Sequence, residues 1–190
     1  QEAARQERMH QERTEVDTPA LPSSSLPADE NVRFPIAKVV LENDSGKFYF
    51  LRHISRDYEG RELSLKDINE VVGKMNRELM ERGFSTSRVV IPEQNLSSGD
   101  LHLVLQIGRI HAVRFAEGSD TLYTYNLFPF RAGDVLNVRD IEQGLEQAKR
   151  LPSQDITVKL LPAQEPQMTD VLLTVTRGKN VYGTISLDDS

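Results

Sequence analysis

The 190-residue chain has no cysteine and no tryptophan, and aromatic residues make up only 6% of it. Without thiols, disulfides and thiolate metal sites are excluded, and any redox compartment is allowed. No apolar run approaches the roughly 18 residues a membrane-spanning helix needs, so no helix is expected to cross a bilayer. Basic residues are outnumbered, 23 Lys and Arg against 29 Asp and Glu, and the net charge is −6 with no basic block. Nucleic acid is therefore not expected as a partner, because binding to phosphates needs a basic footprint. The phosphate-loop, nucleophile-elbow and zinc-helix motifs are all missing. His10, His53, His102 and His111 are scattered, and Asp188–Asp189 and Glu59/Glu62 read as surface charge. No catalytic residue, metal ligand or cofactor is expected. The glycosylation sequons at Asn43 and Asn95 carry weight only in a eukaryotic secretory setting.

What is present is a repeat. Residues 89–108 read VVIPEQNLSSGDLHLVLQIG and residues 158–178 read VKLLPAQEPQMTDVLLTVTRG. Pro92 and Pro162 stand 70 residues apart, as do Asp100 and Asp170. Each copy is an apolar run stopped by proline, a polar connector, and an alternating run that ends at glycine. Residues 38% hydrophobic overall, divided between two such units, imply two modest cores.

Along the chain, residues 1–15 are polar helix formers with no apolar stripe, predicting a helix that packs on no core by itself. Residues 16–31, with Pro19, Pro22, Pro27 and three serines, form a semi-extended linker. From Phe34, the apolar positions Ile36, Val39 and Leu41 predict one strand, ended by the turn residues 43–46. FYFLRHI is read as one or two helical turns or a strand. Ser64 and Asp67 predict a capped helix with Ile68, Val72, Met75 and Leu79 on its inner face and Gly83 as its stop. A strand over 87–91, stopped by Pro92, and a strand with Leu101, Leu103, Leu105 and Ile107 on one face follow. The second copy begins with Ile110, Val113 and Phe115. A candidate short helix over 123–130 comes next, then a helix capped by Asn137 and Asp140 with Ile141, Leu145 and Ala148 inward, and two strands. The fold class is α+β: two tandem βααββ units with three-stranded mixed sheets, residues 32–108 and 109–178, preceded by a polar helix and a linker. Residues 179–190 alternate apolar and polar, as a strand of a membrane barrel does, and predict that the natural protein continues.

Three strands do not close on themselves, so each sheet leaves edges with unpaired N–H and C=O groups. An incoming extended chain can add there through main-chain hydrogen bonds that are nearly indifferent to its sequence. The candidate partner-binding residues are the short edge run Ser87, Arg88, Val89, Val90 and Ile91, together with the neighbouring helix face at Arg77, Met80 and Glu81. Arg88 adds charge selectivity.

The stretch IPEQNLSSGDLHLVLQIGRI, with Pro92, Gln94, Gly99 and the alternating Leu101 to Leu105, resembles the end of the first POTRA module of two-partner secretion outer-membrane transporters (the TpsB class). RLPSQDITVKLLPAQEPQMTDVLLTV, with Leu151, Pro152, Ser153 and Gln154, resembles the matching part of the second. The resemblance spans about residues 34–178. It implies that residues 1–15 are the helix that plugs the barrel, 16–31 the periplasmic linker and 179–190 the start of the first barrel strand. It further implies a periplasmic region of an outer-membrane protein in a Gram-negative bacterium. The implied partners are an unfolded secreted exoprotein, bound by its N-terminal secretion domain, and the protein's own C-terminal β-barrel, with the chain itself a monomer. Two other readings stay open: a POTRA-type scaffold for folded partners in outer-membrane insertion or cell division, and, more remotely, a periplasmic hydrolase built from scattered Asp, Glu and His.

Overall fold

A computed structural model of the chain describes residues 32–118, 128–150 and 154–177, which fall into two compact units divided after Gly108. The expected plug helix, the linker, the barrel strand and most of the second unit's short helix lie outside the described residues.

The first unit runs β1 (Arg33–Ile36), β2 (Lys38–Glu42), α1 (Phe50–Arg56), β3 (Arg61–Ser64), α2 (Leu65–Glu81), β4 (Arg88–Val90) and β5 (Asp100–Gln106), with a 3-10 turn at Leu96–Ser98. The single strand expected from Phe34 is in fact two strands in two sheets. Ile36 and Val39 are both buried yet three positions apart, and a continuous strand puts alternate residues on one face. The chain therefore breaks at Ala37, whose N–H donates to Gly99 O at 2.8 Å. β1 pairs antiparallel with β3, a strand the sequence pattern hid because RELS does not alternate. β2 joins the main sheet, whose order is β2-β5-β4 with β5 parallel to β2 and antiparallel to β4.

FYFLRHI resolves as a helix, α1. α2 begins at a capping box: Asp67 N–H donates to Ser64 Oγ at 3.2 Å and Ser64 N–H to Asp67 Oδ2 at 3.0 Å. It buries Ile68, Val71, Val72, Met75 and Leu79, each contributing about 1.5–3 kcal/mol of apolar burial. It ends in a Schellman motif: Gly83 at φ +90° donates to Met80 O, and Phe84 N–H donates to Leu79 O at 2.8 Å. Phe84 then packs against Phe48, ring centres 4.9 Å apart, which locks the end of α2 to α1. On β5 the inward residues Leu101, Leu103 and Leu105 are fully buried, whereas Ile107, expected on the same face, lies beyond the strand and is half-buried.

The second unit runs β6 (Arg109–Phe115), α3 (Val138–Lys149), β7 (Gln154–Pro162) and β8 (Met168–Arg177), in sheet order β6-β8-β7. β8 is parallel to β6 and antiparallel to β7. Ile110 and Val113 repeat the three-residue step of the first unit, and here it is absorbed by a register shift between Ile110 and Ala112. The consequence is a change of phase: Arg109 N–H faces β8 before the shift (to Gln167 O, 3.0 Å) and Ala116 N–H does so after it (to Leu173 O, 2.8 Å). Phe128 and Phe130, expected at the end of a helix, are non-helical and buried against α3. Gly144 makes room for them, since a Cβ there would stand 3.2 Å from both Phe128 Cδ1 and Pro129 Cδ.

Candidate partner-binding edges

The residues expected at the site are brought together by the packing of α2 on β4, but they do not form one exposed surface. Arg77, Met80 and Glu81 are exposed on α2, and Arg88, Val90 and Ile91 are half-buried. Ser87 and Val89 are buried. Ser87 is committed internally: its N–H donates to Phe84 O, and its Oγ accepts from Gly108 N–H at 2.9 Å. That contact brings the chain so close that a Cβ on Gly108 would lie 2.1 Å from Thr86 Oγ1 and 2.6 Å from Thr86 O.

The β4 edge differs from the open edge that three-strandedness predicts. Arg88 and Val90 stand opposite Gln106 and Val104 in the antiparallel ladder, so Val89 between them turns its N–H and C=O away from β5. Both groups are held by one side chain of α2. Val89 N–H donates to Asn76 Oδ1 at 2.7 Å, and Asn76 Nδ2 donates to Val89 O at 3.1 Å. A carboxamide presents one acceptor and one donor side by side, as a neighbouring strand's peptide would. Gln94 does the same one step further along. Pro92 ends β4 and offers no N–H. Opposite, on β5, His102 N–H donates to Gln94 Oε1 and Gln94 Nε2 donates to His102 O, both at 2.7 Å. Sequence reasoning missed Asn76 altogether, since a polar residue on a helix reads as solvent-facing. It saw Gln94 only as part of a resemblance, and the signal available was a carboxamide two residues after the strand-ending proline.

The opposite edge is unlike this. His102 turns its main-chain groups to Gln94, away from β2, so in the parallel ladder Lys38, Val40 and Glu42 turn theirs to β5, as the 3.4 Å bond from Lys38 N–H to Gly99 O shows, and those of Val39 and Leu41 face outward. Among the described residues no group hydrogen-bonds the outward N–H or C=O of Val39 and Leu41. In the second unit the positions are exchanged. β6 is covered at its start, where Ile110 N–H donates to Asp134 O, Gly133 N–H donates to Ile110 O, and Arg109 bridges Val135. On β7, Ala163 N–H donates to Met168 O, so Ile156, Val158 and Leu160 turn their main-chain groups outward.

The charged groups are structural in their environment. The Ser64 backbone N–H that bonds its carboxylate holds Asp67 below the usual carboxylate range. His111 Nδ1 lies 2.8 Å from Asp170 Oδ1, with Arg114 3.5 Å from the other oxygen, on the exposed face of the second sheet. A cavity of about 200 Å³ in the second unit is walled by Phe115, Phe128, Phe130 and small aliphatic residues, with Arg131 as its one charged residue. Among the described residues no three His, Asp or Glu side chains converge as a metal site.

Two family descriptions match this geometry: residues 34–108 fit the POTRA domain, ShlB-type, and residues 109–162 fit a POTRA domain. The chain belongs to the POTRA family, its first domain of the ShlB type. The outer membrane transporter CdiB-2 of Burkholderia pseudomallei is 43% identical over 145 residues, covering 76% of this chain and 25% of that protein. The hemolysin transporter protein ShlB of Serratia marcescens is 34% identical over 104 residues, covering 54% of this chain and 18% of that protein. The solved structure of CdiB from Escherichia coli superposes with a TM-score of 0.69 at 27% identity, over 92% of this chain and 32% of that one. The chain thus spans about a quarter of the length of the CdiB-2 transporter, and the two POTRA modules account for nearly all of its described residues.

Proposed function

We propose that this POTRA pair is the periplasmic recognition region of an outer-membrane transporter, a binding module that catalyses no reaction. It captures a secreted exoprotein while that protein is still unfolded, through the exoprotein's N-terminal secretion domain, and passes it as an extended chain to a β-barrel pore of the same polypeptide. The observation that carries this reading is that each unit is a three-stranded sheet with outward-turned main-chain groups on one edge, in a chain similar to transporters. Such an edge recognises extended backbone and is blind to a folded surface.

In this reading the exposed Arg77, Met80 and Glu81, with Arg88 and Ile91, contact client side chains along the α2 face, and Ser87, Val89 and Val90 hold that face in place. One chain suffices, and no cofactor is required. The test is a pull-down in which the immobilised chain is offered the N-terminal part of a candidate exoprotein, once unfolded and once folded. Retention of the unfolded form alone is expected. Equal retention of the folded form would favour an assembly scaffold, and retention of neither would overturn the capture reading.

A further inference from the structure

We propose that the client's main chain pairs with the outward edge of β2, Lys38–Glu42, and not with β4. The inference rests on the capture reading above and assigns it a place in the first module. On the β4 side the outward slot at the middle of the strand is spoken for. Val89 is bonded twice by Asn76, Ser87 N–H is bonded to Phe84 O, and Pro92 has no N–H to give. Where β4 stops, the next free position of β5, His102, is bonded twice by Gln94. A client entering there would have to break two amide pairs to make two, with no net gain in hydrogen bonds.

β2 offers the reverse. It is paired with β5 over all five of its residues, and Val39 and Leu41 carry outward N–H and C=O groups. The side chains beside that edge stand at alternate positions on one face of the sheet: exposed Lys38, half-buried Val40, exposed Glu42. Cross-strand neighbours on one face of a sheet prefer opposite charge and matched apolar groups. The occupant is therefore an extended segment with an apolar, β-branched residue opposite Val40, an acid opposite Lys38 and a base opposite Glu42. In the antiparallel sense, the more stable per residue, it reads basic, any, apolar, any, acidic from its N-terminus. Within the sheet Lys38 stands opposite Asp100, and Glu42 lies 3.7 Å from His102, so both charges keep their outer side for a partner.

The experiment is residue-resolved amide exchange of the full chain with the peptide Thr-Lys-Thr-Val-Thr-Glu-Thr, repeated with the unfolded N-terminal exoprotein segment. At ten times the Kd, exchange of the Val39 and Leu41 amides slows about tenfold while Val89 is unchanged. The double variant K38E/E42K, which alters only exposed side chains, weakens the peptide about three- to tenfold, and Asn76→Ala leaves its affinity as it was. Protection of Val89 or Ile91 in place of Val39 and Leu41, or a tighter complex with Asn76→Ala, overturns the β2 assignment and leaves capture intact. Absence of protection by either probe overturns both.

Discussion

The two modules carry the same sequence step and resolve it in opposite ways. Ile36 to Val39 and Ile110 to Val113 each place two core residues three positions apart, which no unbroken strand accommodates. The first module breaks its strand at Ala37 and hands the first half to a separate pairing with β3. The second keeps one strand and shifts its register beside His111. The edges then differ as well. In the first module the antiparallel edge is three residues long and closed by carboxamides, and on the parallel edge no group among the described residues bonds the outward groups of Val39 and Leu41. In the second the parallel edge is covered by residues 133–135 and the antiparallel edge is a nine-residue strand with outward groups. Two copies of one fold can thus present different edges from a shared pattern, decided by which side chains and loops fill the unpaired slots.

This contrast can be broken most severely at Gly108. Valine there meets the Thr86 backbone inside van der Waals contact, and a loss of about 3 kcal/mol is expected in the first module. Amide exchange resolved by module should show the loss between residues 32 and 108 and leave the second core untouched. Gly144→Ala is the counterpart in the second module. Its milder contact with Phe128 is offset by about 1 kcal/mol of improved helix propensity, so thermal unfolding should barely move.

Asn76→Ala orphans a buried donor and acceptor on Val89 and should cost about 2 kcal/mol in denaturant unfolding, with faster exchange of β4 amides. If β4 amides keep their protection, the carboxamide is incidental and the edges of the two modules are closed by the same means. Gln94→Ala removes the half-exposed equivalent and should cost about 1 kcal/mol.

The smallest effect separates the helix caps. Asp67 has a folded pKa below its ordinary value, so its contribution is present at neutral pH and is lost as pH falls below about 4 toward the folded value. Titrating to acid should weaken α2 by about 0.5–1 kcal/mol, an effect absent in Asp67→Asn. The cap of α3, the Asn137 amide accepting from Arg139 N–H, carries no charge to lose.

Much of this was legible in the sequence. Ser64 and Asp67 announced the start of α2, Gly83 its end, and the alternating leucines the central strand, because each signal is local and set by one backbone requirement. The POTRA pattern itself was legible from Pro92, Gln94 and Gly99. Three things were not. β3 was hidden because Arg61 and Glu62 are charged and its pairing with β1 is non-local. The break at Ala37 was present as a three-residue spacing but was read through as alternation. The closure of the β4 edge depends on Asn76 meeting a residue 13 positions away across a helix end, which no periodicity records.

That closure also has a chemical lifetime. Asn76 works because its amide carries an acceptor and a donor together, and hydrolysis of the amide to a carboxylate would leave acceptors only. One oxygen would still take the Val89 N–H, but the other would face the Val89 carbonyl and be repelled by it. Slow deamidation at this single side chain would therefore unseal a strand edge without altering the chain's length or its core, turning an ageing reaction into a change in what the first module can bind.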